Sequence, residues 1–169
     1  MDKKRMEAGD AHAIYNLGCD YREGADGFPQ DHTKALELWH RAVELGYTRA
    51  YCCIGYCYNN GEGVVVDKEK ARHYYELAAM GGNVQSRYNL GLEEKDAGNI
   101  DRAIKHYMIA VVGGDNDSLK KIQELYSNGD ATKDDYTKAL QAYQVYLGEI
   151  KSKQRDEAAA YDNEEYRYY

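Results

Sequence analysis

Proline is nearly absent from this sequence, which has Pro29 as its single proline among 169 residues. Because proline removes a backbone donor and interrupts helices, its scarcity favours a mostly helical chain. Long apolar runs are missing too, since no stretch approaches the ~18 consecutive apolar residues of a membrane-spanning helix. We therefore expect no transmembrane helix and no membrane partner.

An excess of positive charge is also missing. The chain has 22 Lys and Arg residues against 29 Asp and Glu residues, which gives a formal net charge of −7. A protein that binds nucleic acid neutralises phosphates with clustered Lys and Arg side chains. The charge balance therefore argues against a nucleic-acid partner.

Cysteine is scarce and unevenly placed, at Cys19, Cys52, Cys53 and Cys57. Three of the four fall in one predicted helix, whereas a disulfide framework spreads its cysteines between elements. No histidine lies near them in the sequence and no second CxxC-like pair exists, so we predict no zinc, no other metal and no cofactor. Thiols of this kind are typical of a reducing compartment, and we expect a cytoplasmic protein.

What the sequence does contain is a repeat of 30 to 40 residues. One series of glycines, spaced by 37 and then 36 residues, consists of Gly18, Gly55 and Gly91. A series of alanines, spaced by 36 and then 32 residues, consists of Ala35, Ala71 and Ala103. Four residues after each alanine comes an aromatic residue: Trp39, Tyr75 and Tyr107, with Tyr143 after Ala139 in a looser fourth copy. Self-similarity at this period predicts an all-α fold, an α-solenoid of about four helix pairs.

Each unit is predicted to form two helices, A and B. In helix A of the first unit, Ala13, Leu17 and Tyr21 are spaced by four residues and form an apolar stripe. Gly18 lies on that stripe, although a glycine inside a helix costs ~1 kcal/mol relative to alanine. We predict that the missing Cβ lets the backbone of a neighbouring helix approach closely.

Helix B has recognisable ends. Asp31 in the first unit and Asp67 in the second are predicted N-caps, because an Asp side chain can accept a bond from the first-turn amides. Gly46 is placed to end the first helix B in the left-handed conformation. Gly82 and Gly114 recur at the same place in the next two units.

These signals divide the chain into segments. The N-terminal segment aligns with the end of a helix B, so we expect either a fragment of a longer protein or a truncated cap, and we favour the fragment. The fourth unit ends in a long polar helix that closes the stack. The predicted segments are 1–9 (end of a preceding repeat or cap), 10–46, 47–82 and 83–114 (repeats one to three), 115–161 (repeat four with its capping helix) and 162–169 (a flexible acidic, Tyr-rich tail).

The repeated positions resemble those of the Sel1-like repeat family, which is related to tetratricopeptide repeats. The first unit has the signature residues Leu17, Gly18, Tyr21, Ala35, Trp39 and Gly46. The second has Gly55, Ala71, Tyr75 and Gly82, and the third retains Gly91 and Ala103. The resemblance covers about residues 9 to 148, with the third and fourth units closer to the tetratricopeptide pattern.

The resemblance implies a right-handed superhelix of antiparallel helix pairs. It also implies a scaffold or adaptor that holds protein complexes together, including ubiquitin-ligase and quality-control assemblies. We expect a monomer that binds a protein or peptide partner.

If the units stack as in that family, the A helices line a concave face. The residues expected there, as a peptide-binding surface, are Tyr15, Asn16, Arg22, Arg49, Tyr56, Asn59, Tyr88, Asn89 and Lys95. Asn side chains can bond the backbone of a bound segment while Tyr rings supply contact area. The alternative is that these Asn and Tyr residues only brace adjacent helices.

Two further hypotheses stay open at this point. The repeats can be a structural spacer whose contacts lie on the convex face, on the loops or in a neighbouring domain. A Cys-dependent hydrolase would need a reactive thiol at Cys53 or Cys57. No hydrolase, metalloprotease, P-loop or dinucleotide-binding motif is present in the sequence, so we predict no catalytic residue and no enzyme.

Overall fold

The computed structural model describes residues 10–25 and 27–165, with side chains described up to residue 154. These residues form eight α-helices that pack in antiparallel pairs, as the sequence predicted. None of the helices in this part of the chain is both long and apolar enough to cross a membrane. The helices are α1 (Ala11–Glu23), α2 (His32–Glu44), α3 (Ala50–Asn60), α4 (Lys68–Met80), α5 (Val84–Asp96), α6 (Ile100–Val112), α7 (Asn116–Asn128) and α8 (Lys133–Glu165).

The chain divides into two compact units, Met1–Leu90 and Gly91–Tyr169. In the first unit the largest fully buried side chains are Trp39, Tyr75, Ile14, Ile54 and Leu90. In the second unit they are Tyr107, Ile122, Leu125 and Val111. Helices α1, α3, α5 and α7 are the A helices, and α2, α4, α6 and α8 are the B helices.

Side-chain caps begin the B helices of the first unit. Asp31 Oδ1 accepts a bond from the Lys34 amide at 2.9 Å, and Asp67 Oδ1 accepts one from the Lys70 amide at 3.0 Å. Both caps satisfy an amide that has no acceptor inside its own helix, as predicted. Gly46, which follows α2, has φ +90°, the left-handed conformation that was expected of it.

The glycines inside the A helices face an aromatic ring rather than a neighbouring backbone. A Cβ on Gly18 would lie 2.6 Å from Nε1 of Trp39, and one on Gly55 would lie 2.7 Å from Cδ1 of Tyr75. The same holds in the second unit, where a Cβ on Gly91 would lie 2.5 Å from Cε1 of Tyr107. The prediction that a neighbouring backbone approaches these glycines is therefore wrong for the main contact, which is an aromatic ring. Of these three glycines, Gly55 alone has a backbone atom among its three nearest contacts, since the Ala71 carbonyl oxygen lies 3.2 Å from the added Cβ. The repeated Gly and the repeated aromatic residue form one contact.

Helix α8 is the longest of the eight helices, with 33 residues from Lys133 to Glu165. It therefore includes the first four residues of the segment that was expected to be a flexible tail. The strong helix formers of "RDEAAA", from Arg155 to Ala160, favour this continuation. The remainder of that tail, 166–169, and the N-terminal segment 1–9 lie outside the described residues.

Candidate functional site

The predicted binding residues are divided between the two units. Lys95, half-buried on α5, belongs to the second unit, and the other eight belong to the first. In the first unit, some of these side chains form hydrogen bonds or ion pairs within the protein, and others are available to bind a ligand.

Arg22 is engaged. Its Nε donates to Oε2 of Glu62 at 3.0 Å, and its guanidinium carbon lies 4.4 Å from the centre of the Tyr56 ring. Burial alone would lower the pKa of Arg22, but the hydrogen bond and charge of Glu62 raise it overall. This cation–π and ionic contact joins α1 to α3 and its following turn. Glu62 was not predicted from the sequence, where its only signal is its place between the turn glycines Gly61 and Gly63.

Asn59 is also hydrogen-bonded within the protein. Nζ of Lys68 donates to the backbone carbonyl of Asn59 at 2.9 Å and to its Oδ1 at 2.8 Å. The two bonds fix the end of α3 to the start of α4. Asn59 therefore supports the turn between these helices.

Asn16 and Asn89 are only weakly engaged. Nδ2 of Asn16 lies 3.5 Å from Nε2 of His12, and Oδ1 of Asn89 accepts from Nε2 of Gln85 at 3.4 Å. Both contacts are long for a hydrogen bond, and each joins residues one turn apart on the same helix. The two carboxamides can therefore exchange these contacts for a bond to a ligand. Tyr88, the neighbour of Asn89, is half-buried.

Tyr15 lies on α1 and is held by contacts with α2, with the loop after α2 and with α3. Its carbonyl accepts a bond from Nε1 of Trp39 at 3.2 Å, and its ring centre lies 4.9 Å from that of Tyr47. Its hydroxyl oxygen accepts from the Cys53 thiol, with 3.8 Å between Oη and Sγ. Burial, followed by the nearby thiols, raises the pKa of Tyr15, so the phenol is neutral. The residue presents one rigid edge to the surface.

An open cavity of about 500 Å³ adjoins Tyr15 in the first unit. It lies where the first turns of α3 and α5 meet the loop after α4. Its walls include Tyr15, Arg49, Cys52, Cys53, Asn83 and Gln85, together with the bare backbone of Gly81 and Gly82. Tyr15 and Arg49 were predicted from the sequence to belong to a binding surface, but the cavity itself was not predicted.

The thiols of the first unit have the properties of unreactive groups. All four cysteines are free; Cys57 is buried and the other three are half-buried. Burial raises the pKa of Cys53 to about 12 and that of Cys57 to about 12. A nucleophilic cysteine needs the opposite shift. The structure therefore disfavours the Cys-dependent hydrolase. Among the described residues, no group of three or more His, Cys, Asp or Glu side chains could hold a metal ion.

Labelling with iodoacetamide at neutral pH tests the state of these thiols. A pKa of about 12 in place of 9.0 leaves roughly a thousandfold less thiolate at Cys53 and Cys57, and the thiolate is the reacting form. A more basic thiolate is also a better nucleophile, which offsets part of this loss. We therefore expect both residues to label at least about tenfold more slowly in the folded protein than in denaturant, as followed by peptide mass spectrometry. If either cysteine is labelled as fast as in the denatured chain, its pKa is not raised, and the hypothesis of a nucleophilic cysteine is open again.

Comparison with protein families gives a match over the first two helix pairs. The family model described as "Sel1 repeat" matches residues 11–47 and 49–83. These two segments coincide with the first two helix pairs, α1–α2 and α3–α4.

Curated relatives are similar over part of their length. A component of an ERAD-associated E3 ubiquitin-protein ligase from Arabidopsis thaliana, HRD3B, is 32% identical over 105 residues, which are 60% of this chain and 16% of the relative. Chitin synthase regulatory factor 4 of Schizosaccharomyces pombe is 27% identical over 115 residues, which are 68% of this chain and 18% of the relative. The chain thus spans less than a fifth of either relative.

Two solved structures have the same fold. A Sel1 repeat protein from Oxalobacter formigenes superposes with a TM-score of 0.72 at 24% identity, over 86% of this chain and 62% of that one. A protective antigen of uropathogenic Escherichia coli strains, described as displaying an SLR fold, superposes with a TM-score of 0.71 at 32% identity, over 85% of this chain and 31% of that one.

Proposed function

The chain belongs to the Sel1 repeat family, and on that premise we propose that it is a non-enzymatic scaffold that binds a peptide or protein segment along its A helices. Helical repeats of this kind offer extended surfaces made from successive helices. The relatives named above are a ligase component and a regulatory factor, so similarity to members of protein complexes supports the proposal.

The observation that carries the proposal is the pair of available carboxamides on the A helices of the first unit. Asn16 and Asn89 each offer a donor and an acceptor, and an extended segment needs both for its backbone groups. Tyr15 supplies a rigid aromatic edge, and the open cavity beside it offers space for a side chain. Arg22, Tyr56 and Asn59 have a bracing role in this proposal, because their partners already lie within the protein.

A displayed library of random peptides tests this function directly. Peptides selected on the wild-type chain should bind the double variant Asn16→Ala/Asn89→Ala about tenfold or more weakly, since each lost hydrogen bond is worth about 1 kcal/mol. Affinities are measured by fluorescence polarisation after circular dichroism shows that both proteins have the same helix content.

A matched control lies on the B helices. Glu44 and Glu69 are exposed on α2 and α4, and the variant Glu44→Ala/Glu69→Ala should bind the selected peptides with wild-type affinity. Selected peptides that bind both double variants equally well would contradict a site on the A helices. A library that yields no binder would contradict peptide binding itself.

The setting of the scaffold is a further part of the proposal. We propose a ubiquitin-ligase or quality-control assembly, and the similarity to a ligase component is its support. A reducing, cytoplasmic environment is proposed with it, because the four cysteines are free and the pKa of each thiol is raised by burial.

A spacer with contacts outside the A helices is the second candidate. Val65, in the loop before α4, is 85% exposed, and Met80, at the end of α4, is 73% exposed. Large apolar side chains at such exposure suit contact with another surface. If the spacer proposal is correct, Val65→Ser/Met80→Ser would abolish capture of a partner that the Asn16→Ala/Asn89→Ala variant still holds.

A further inference from the structure

Three tyrosine rings lie in a row between α3 and α4 of the first unit. Tyr74, on α4, stacks against Tyr51 and Tyr58, which both lie on α3. The ring centres of Tyr58 and Tyr74 are 5.6 Å apart with 9° between the ring planes, and those of Tyr51 and Tyr74 are 6.1 Å apart with 27° between the planes. These three side chains form the tyrosine row, and each of them is half-buried, so part of every side chain is open to solvent.

The tyrosine row is not a requirement of the repeat. Tyr51 stands four residues before the glycine of its helix A, and Tyr74 stands three residues after the alanine of its helix B. Neither tyrosine recurs at these positions in the neighbouring repeats. The equivalent residues are Ile14 and Leu38 in the first repeat and Arg87 and His106 in the third. Packing of the repeat alone therefore does not explain why three tyrosines meet here.

The hydroxyl groups of the tyrosine row are unused. Within the part of the chain that the structure describes, none of the three forms a hydrogen bond. Burial, followed by the neighbouring phenols of Tyr58 and Tyr51, raises the pKa of Tyr74, so this phenol keeps its proton at neutral pH. A neutral phenol can donate a hydrogen bond. The row thus offers three aromatic rings and three donors side by side.

The groups that border the row carry little net charge. Nζ of Lys70 lies 5.2 Å from the ring centre of Tyr58, but it is also 3.6 Å from Oδ2 of Asp67, whose charge balances it. The ring of His40 meets Tyr74 edge-on, with 5.8 Å between the ring centres. Burial lowers the pKa of His40, so its imidazole is neutral at neutral pH. A surface of this kind suits an uncharged partner that accepts hydrogen bonds.

We propose that the tyrosine row binds a proline-rich segment of a partner protein in the polyproline II conformation. Prolines on one side of that helix are three residues, about 9.3 Å, apart. Tyr51 and Tyr58 are seven residues apart on α3, which separates their backbones by about 10.5 Å along the helix. Because the two distances nearly match, the prolines of a Pro-x-x-Pro segment can each pack on one end of the row. The backbone carbonyls of such a segment have no internal partner, and the phenol hydroxyls are the matching donors.

The tyrosine row is separate from the surface of the proposed function. On α3, Tyr56 faces α1, where the guanidinium carbon of Arg22 lies 4.4 Å from its ring centre. Tyr51 and Tyr58 instead face α4. The inference therefore goes beyond the proposed function, and it does not depend on the two carboxamides of the A helices.

Two displayed peptide libraries test the inference. In the first, random peptides contain a fixed Pro-x-x-Pro core, and in the second the same core is Ala-x-x-Ala. Selection on the wild-type chain should enrich binders from the proline library. Replacement of either core proline of a selected peptide by alanine should weaken binding about tenfold or more, because the proline loses its contact with a ring. Affinities are measured by fluorescence polarisation.

The variant Tyr51→Phe/Tyr58→Phe/Tyr74→Phe removes the hydroxyls and retains the rings. We expect it to bind the selected peptides about fivefold or more weakly, since one hydrogen bond contributes about that factor. Tyr21→Phe is the control, because it removes the hydroxyl of another half-buried tyrosine, on α1. This control should bind the peptides with wild-type affinity.

The variant Tyr51→Ala/Tyr74→Ala removes two of the rings, and we expect it to weaken binding about tenfold or more. Its control is Tyr126→Ala/Tyr136→Ala, which removes a stacked pair of the second unit with 5.4 Å between the ring centres. That control should leave binding unchanged. Circular dichroism compares the helix content of all variants, and the phenylalanine variant decides the question if the alanine variant does not fold.

Other outcomes would overturn the inference. They are a proline library without binders, selected peptides that tolerate alanine at both core positions, and selected peptides that bind the phenylalanine variant as tightly as the wild type. Proline peptides that are lost by Asn16→Ala/Asn89→Ala but held by the phenylalanine variant would place their site on the surface of the proposed function, and would overturn the inference as well. None of these results contradicts the proposed function, which the fully random library tests by itself.

Discussion

Replacement of Trp39 by alanine is expected to lower the free energy of unfolding of the first unit by about 3–5 kcal/mol. The indole ring is fully buried, and it lies against the Gly18 position on α1. Its Nε1 donates to the Tyr15 carbonyl at 3.2 Å, so the substitution leaves a cavity and also removes the donor to a backbone acceptor. Urea denaturation followed by far-ultraviolet circular dichroism measures the change, as a lower midpoint of the transition in which the helices of the first unit unfold.

Trp39→Phe is the matched control. It retains an aromatic ring of smaller volume and loses the hydrogen bond, so we expect it to destabilise the unit clearly less than Trp39→Ala. A loss below ~1 kcal/mol in the alanine variant would mean that the indole is not a core residue of the first unit, since a fully buried aromatic side chain costs more than that to remove.

Replacement of Gly91 by alanine gives the second large effect, from the addition of a single carbon. The new Cβ would lie 2.5 Å from Cε1 of Tyr107, which is closer than real Cβ contacts come. Tyr107 is fully buried, so its ring has little room to move away. We expect a loss of about 1–3 kcal/mol in the free energy of unfolding. Thermal and urea denaturation of the variant measure it.

Gly148→Ala is a control of the same chemistry with the opposite expected sign. Gly148 lies in α8 and is exposed, and a Cβ added there would have no neighbouring atom within 4 Å among the described residues. Because alanine is the better helix former, this change should stabilise the protein by up to ~1 kcal/mol. Equal effects of the two substitutions would show that helix propensity, and not the ring, decides the outcome at Gly91.

A double-mutant cycle identifies the atoms responsible. In the background of Tyr107→Leu, the cost of Gly91→Ala should fall by ~1 kcal/mol or more, because the ring that meets the new Cβ is gone. An unchanged cost would place the clash in the backbone, which is the arrangement predicted from the sequence.

The sequence predicted helix ends better than it predicted contacts. Asp31 and Asp67 cap their helices as expected, because a cap depends on residues three positions apart in the chain. The neighbour of Gly18 was predicted incorrectly, since periodicity indicates that space is needed there without indicating which atoms fill it. Trp39 fills it from the next helix.

The candidate site was predictable only in part, for a related reason. Arg22 and Asn59 lie on the A helices as expected, but Glu62 and Lys68 reach them from the turn after α3 and from the start of α4. The path of a turn decides such pairings, and local sequence does not specify it. The cavity escaped prediction because its walls come from helix starts and from Gly81 and Gly82, whereas helical periodicity indicates only which residues share one helix face.

Trp39 also gives the protein a spectroscopic property. It is the single tryptophan of the chain, and it lies in the dry core of the first unit. Its fluorescence therefore reports on the unfolding of that unit alone, whereas far-ultraviolet circular dichroism sums the helices of both. Superimposable transitions from the two signals would show that the units unfold as one cooperative system. Separate transitions would give each unit its own stability, without any label or substitution.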